Sequence, residues 1–208
     1  MKFPVSRRLK VTLTVCACVA LTALGLCYYT GVLDENLRTI AAGKCYRSGQ
    51  MDAATLARTI KAYGIKCVLN LRGTPASQAW YKDEAATCAA LGVEYATVPV
   101  HLGRLTEPDH IAALIARLEH GPYPLLLHCR EGADRAGLAS VLYVMVVEGK
   151  PLDEALAGQM TWRYGHLSLG PAKAVDDFFE LYRRTAGGKD IKLWVNEVYP
   201  KVYLQITN

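Results

Sequence analysis

One cysteine, two arginines and two acidic residues fall within ten consecutive positions, His128-Cys129-Arg130-Glu131-Gly132-Ala133-Asp134-Arg135-Ala136-Gly137. An apolar run, Pro124–His128, leads into them, and an apolar helical stretch, Leu138–Glu148, leads away. Five residues separate Cys129 from Arg135. A loop of that length at a helix N-terminus can wrap its backbone N–H groups round a tetrahedral oxyanion, and the helix dipole adds favourable potential. Gly132 lets the loop turn where a side chain would block it. Arg135 offers a planar fork that fits two phosphate oxygens. The same positive field favours the Cys129 thiolate, the form able to attack phosphorus. This chemistry asks for no metal and no cofactor.

The elements that must position this loop alternate in type. CYRSGQ, from Cys45, reads as a strand and turn. Asp52 caps a helix bearing Leu56, Ile60 and Tyr63, which Gly64 stops. Lys66–Leu71 is a short apolar strand, Trp80–Leu91 a helix stopped by Gly92, and Val93–Val100 the next strand. Thr106 begins a helix bearing Ile111, Leu114, Ile115 and Leu118. Pro124–His128 has the wholly apolar character of a central strand covered on both faces. Helices over Leu138–Glu148, Leu152–Thr161 and Ala172–Arg184 follow. The pattern predicts an α/β fold with a central, mostly parallel sheet flanked by helices. The expected organisation is a basic stub and anchor over 1–30, a linker over 31–43, a catalytic domain over 44–186 and a tail over 187–208 packed on that domain.

Four of the 24 basic residues, Lys2, Arg7, Arg8 and Lys10, precede the first acidic one, leaving 20 against 19. A balance so close to neutral excludes a basic nucleic-acid-binding face. Val11–Tyr29 carries no charge, which predicts one transmembrane helix. A cleaved secretory signal shares the basic start, but the run is long for a signal core and lacks a small-x-small cleavage site. The positive N-terminal flank then places the chain as a single-pass inner-membrane protein with its catalytic domain in the periplasm. Of the 7 cysteines, Cys16, Cys18 and Cys27 lie in the apolar run, leaving Cys45, Cys67, Cys88 and Cys129, with no CxxC pair or His/Cys spacing of the zinc type.

His128 to Arg135 matches HCxxGxxR, and here the sequence resembles the cysteine-based protein tyrosine phosphatase superfamily, in its dual-specificity branch, as a bacterial membrane-anchored member. The resemblance runs from about Cys45 to Arg184, with CYRSGQ, NLRG at Asn70–Gly73 and YATVP at Tyr95–Pro99 in order. It implies hydrolysis of phosphate monoesters through a cysteinyl-phosphate, with Cys129 as nucleophile and Arg135 as phosphate clamp. Arg130, Glu131, Gly132, Ala133 and Ala136 would then line the substrate. A rhodanese-type sulfur transferase also uses a cysteine in a strand–loop–helix, but with a shorter loop.

Two departures stand out. The family usually carries Ser or Thr after the arginine, where its hydroxyl helps the thiolate leave; Ala136 stands here. The general acid is not obvious either. Asp134 is one candidate, because myotubularin-like lipid phosphatases carry an acid before the loop arginine; its alternative is a structural partner for a nearby arginine. Asp109 is another, although Thr106-Glu107-Pro108-Asp109 reads more naturally as a helix start capped by Thr106. His101, His128 and His166 are within the candidate set. Arg72 either contacts substrate or pairs with an internal carboxylate. The acidic loop residues disfavour a highly phosphorylated inositide. A phosphorylated lipid or lipid-linked molecule is the expected substrate, phosphotyrosine protein the next. Two rival readings stay open: a phosphate-binding pseudophosphatase, and a thiol-redox protein joining Cys129 to Cys45, Cys67 or Cys88.

Overall fold

The structure, a computed structural model, describes residues 7–33 and 35–207. The chain divides into two units, Met1–Asp34 and Glu35–Asn208. The first holds helix α1, Arg7–Leu33. The spanning helix expected over Val11–Tyr29 is not supported: among the described residues no helix is long and apolar enough to cross a membrane. The uncharged run lies inside helix α1. Thr12, Thr14 and Thr22 interrupt it with hydroxyls that donate to the carbonyls four residues back. The single-pass inner-membrane placement and the periplasmic domain fall with the spanning helix. Residues 1–6 of the expected stub lie outside the described residues.

The second unit is built on five strands: β1 (Arg38–Ala41), β2 (Cys45–Ser48), β3 (Cys67–Asn70), β4 (Glu94–Thr97) and β5 (Leu125–His128). They form one sheet in the order β1-β2-β5-β3-β4. The β2–β5, β5–β3 and β3–β4 pairs are parallel, as crossover helices require, while β1 is antiparallel to β2. The sheet is therefore mixed. β1 lies within the stretch read as a linker, because four residues of mixed character give no periodic signal.

The pleat sorts side chains onto two cores. Cys45, Cys67, Leu69, Leu125 and Leu127 face one cluster, and Tyr46, Val68 and Leu126 the other. Helices α2 (Ala53–Tyr63) and α3 (Ala79–Ala90) contribute Leu56, Ile60 and Cys88 to the smaller core. The larger is covered by α4 (Pro108–His120), α5 (Asp134–Val146), α6 (Leu152–Gln159), α7 (Lys173–Thr185), α8 (Ile191–Glu197) and α9 (Tyr199–Thr207). Local chemistry sets the boundaries. Asp52 accepts from the Thr55 N–H at 2.7 Å to start α2, and Gly64 ends it at φ +62. Thr106 is not the cap of α4. Glu107 occupies that position, and the Thr106 hydroxyl instead accepts from the His101 N–H at 2.9 Å. Trp194 and Tyr199 are fully buried against Phe178, at 5.5 and 5.2 Å between ring centroids.

Strand register brings the site together. Ser48 pairs with His128, and His128 with Asn70, so three parallel strands end level at their carboxyl ends, where open α/β sheets bind ligands.

Candidate active site

The loop after β5 is held by its carbonyls. Arg130 O accepts from the Gln50 N–H at 3.0 Å and Glu131 O from Asn36 Nδ2 at 3.1 Å. Gly132 O accepts from Arg47 Nη2 at 2.8 Å, and Ala133 O from the same nitrogen at 2.7 Å. Because the peptide unit is planar and trans, each carbonyl pointing outward turns the next N–H the opposite way. The N–H groups of Glu131, Gly132, Ala133 and Asp134 thus face the loop's interior, and among the described residues no protein acceptor meets them. Helix α5 adds its own N-terminus, which has no side-chain cap.

Arg47 is the buried support of this cradle. It is fully buried in β2 and also donates to Gln159 O at 2.7 Å, with its guanidinium 4.7 Å from the centre of the Tyr164 ring. Burial pushes its pKa down to about 10, so it remains a cation at neutral pH. Gly132, at φ +69, is obligatory. A Cβ there would stand 2.6 Å from Gly49 N and 2.7 Å from Ser48 C, both backbone atoms that cannot swing away.

Cys129 is 2% exposed. Arg135 Nε is buried and has no hydrogen-bond partner, and among the described residues no carboxylate pairs with Arg135. Arg72 donates to Gln50 Oε1 at 2.9 Å and stacks 3.7 Å from the Trp80 ring centre, rather than meeting a carboxylate. Burial, then the charges of Arg135 and Arg130, lower its pKa. Asp134 pairs with His166, not with an arginine. Its Oδ1 lies 2.8 Å from His166 Nδ1, whose other nitrogen is 3.1 Å from Asp176 Oδ1. Hydrogen bonding to Asp134 raises the His166 pKa. On the far side, buried His128 meets Glu84 Oε1 at 2.8 Å, and Glu84 accepts from the Tyr95 hydroxyl at 2.9 Å. Tyr95 in turn accepts from Asn70 Nδ2, and Asn70 Oδ1 from the Arg72 N–H.

A model of the tyrosine phosphatase family matches residues 29–153. The chain belongs to the tyrosine phosphatase family. No curated protein matches it significantly. Solved structures similar to this phosphatase include TpbA of P. aeruginosa, as a cysteine-to-serine variant in complex with phosphotyrosine: 23% identity over 74% of this chain and 92% of that one, TM-score 0.53. The active form of Tk-PTP is similar at 17% identity over 72% and 97%, TM-score 0.55. The catalytic core of the PP-IP phosphatase SIW14 of S. cerevisiae is similar at 15% identity over 73% and 93%, TM-score 0.52. At these identities the likeness is one of fold.

In this phosphatase the candidate residues distribute unevenly. Gly132, Ala133 and Asp134 form the cradle, whereas the Arg130 and Glu131 side chains pair with each other at 3.1 Å, both about 70% exposed. Ala136 is fully buried, with no hydroxyl to present. Asp109 is exposed in the first turn of α4, and His101 contacts Glu107 and Arg104. Cys45, Cys67 and Cys88 are free thiols. Burial pushes Cys67 and Cys88 up to about 12, and raises Cys45 as well. Cys45 and Cys67 both register with Leu125, four residues back along β5 from Cys129, a separation of about 13 Å at ~3.3 Å per residue. Bridging requires Cα atoms within about 7 Å. Cys88 belongs to the core on the other face of the sheet. Sequence reading missed the roles of Arg47, Asn36 and Asp176. For Arg47 the sequence shows no more than a lone cation in a short strand, and its place beneath the loop depends on strand register.

Proposed function

We propose that this phosphatase hydrolyses monoesters through a cysteinyl-phosphate on Cys129, with aryl phosphates of the phosphotyrosine type as its substrate class. The reading rests on the inverted loop, whose carbonyls are held outward and whose N–H groups and Arg135 Nε have no protein partner. Such a ring of donors fits the equatorial oxygens of a phosphoryl group. The Cys129 sulfur forms a bond to phosphorus as the ester P–O bond breaks. The leaving oxygen takes the proton carried by the Asp134–His166 pair, delivered through Asp134. Water then attacks phosphorus, the S–P bond breaks, and the pair recovers a proton from that water. With the spanning helix unsupported, proximity to a bilayer no longer favours a lipid-linked substrate. The phosphotyrosine bound by the similar TpbA structure supports the protein alternative.

The decisive measurement is release of phosphate from 4-nitrophenyl phosphate and from a phosphotyrosine peptide, by the full chain under reducing conditions with a chelator present. Activity is expected in the native chain and none in Cys129→Ser. Asp134→Asn is expected to lose about 100-fold in kcat on the peptide, in the range general acids supply. Ala136 favours a second reading, a binding protein with little turnover. That reading prevails if native protein binds vanadate yet releases no phosphate.

A further inference from the structure

The segment joining β4 to α4 carries a separate constellation that the phosphate loop does not use. Glu107 Oε2 lies 3.0 Å from His101 Nε2 and 3.3 Å from His110 Nδ1, and one donor atom from each of the three residues lies within 4.8 Å of the others. Glu107 Oε2 and His110 Nδ1 are both shielded from solvent and approach to 3.3 Å without hydrogen-bond geometry, while Glu107 Oε2 is ion-paired with His101 Nε2. Buried polar atoms left unsatisfied are uncommon and call for a partner. Two imidazole nitrogens and one carboxylate oxygen are a donor set that zinc takes, and ligand atoms bound at ~2.0–2.1 Å in a tetrahedron stand about 3.3 Å apart. Two of the spacings here, 3.0 and 3.3 Å, are of that size, and the third lies within 4.8 Å.

We propose that His101, Glu107 and His110 bind a divalent transition metal of the zinc class, with a fourth position open to water or an anion. The ion would join the end of the segment leaving β4 to the first turn of α4. Arg104 is its competitor: Nη1 donates to Glu107 Oε1 at 2.6 Å, and Nη2 lies 2.8 Å from His101 Nε2. Its side chain is 51% exposed, and Nη1 also reaches the Tyr203 hydroxyl at 3.4 Å. Gly103 N donates to Pro171 O at 2.8 Å, so the metal-holding segment touches the chain that leads into α7 and Asp176.

Cobalt(II) titrated into the full chain tests this by absorption. Visible bands of a nitrogen- and oxygen-ligated ion are expected, without the near-ultraviolet thiolate-to-metal band that cysteine coordination would give. His101→Ala and His110→Ala should each weaken binding by at least ~100-fold, more than losing an outer-shell partner costs. Arg104→Ala should tighten it several-fold by removing the competing cation, an outcome that a hydrogen-bonded surface cluster does not produce. A thiolate band, binding unchanged in the histidine variants, no binding at all, or no gain in Arg104→Ala would overturn the assignment.

Discussion

At the scale of single residues, the site depends on what lies under it. Arg47 touches no substrate in the proposed reaction, yet it donates to Gly132, Ala133 and Gln159. Replacing it by Met leaves those carbonyls without their donor. At roughly 1–3 kcal/mol per unsatisfied buried group, a loss of at least ~3 kcal/mol is expected in urea unfolding, with loss of turnover. Arg47→Lys is expected to recover little, since one ammonium cannot span the loop carbonyls and Gln159 O at the end of α6. Gly132→Ala probes the same support from the other side. Its Cβ would displace the Ser48–Gly49 backbone, and a shift of about 1 Å at a reacting centre costs about 100-fold in kcat. The candidate loop residues Cys129 and Arg135 were legible as candidates, because spacing from cysteine to arginine is a property of the sequence. Arg47 and Asp176 were not. What they do depends on strand register and helix packing, which bring residues 47, 132 and 159, or 134, 166 and 176, to one place.

At the scale of elements, capping chemistry and apolar periodicity carried the reading. Asp52 and Gly64 bracket α2, and β5, three leucines followed by His128, is a central strand. Elements were misread where one residue has two uses. Thr106 precedes a helix and looks like its cap, but its hydroxyl is taken by the His101 N–H. His101 and His110 lie nine positions apart, across a turn, and their convergence on Glu107 becomes visible only once that turn is folded. His166 shows how elements are tied to one another, since it joins Asp134 on α5 to Asp176 on α7. Its pKa in the folded chain is raised, chiefly by the bond to Asp134. The protonated form is thus favoured by folding. That contribution is fully present below the ordinary histidine value of about 6.5, and is lost as pH rises through the raised folded value. The urea midpoint is expected to fall between pH 6 and pH 8 in the native chain and to fall less in His166→Gln.

At the scale of the whole molecule, the C-terminal helices close the larger core. Trp194 is fully buried, stacks on Tyr199 at 4.8 Å and donates to Thr185 Oγ1 at 2.9 Å. Tyr199 carries the contact onward, donating to Thr106 O at 2.6 Å beside the segment with His101. Trp194→Ala is expected to cost about 3–5 kcal/mol, read as a lowered thermal midpoint, although the substitution lies far along the chain from Cys129. The family match ends at residue 153, whereas Arg47 needs Gln159 and Asp134 needs His166. A ribosome adding ~5–20 residues per second therefore spends about 2–7 s between making Cys129 and making His166. During that interval the nascent chain holds the Cys129 loop through Asn36, Arg47 and Gln50, without the tie from Asp134 through His166 to Asp176.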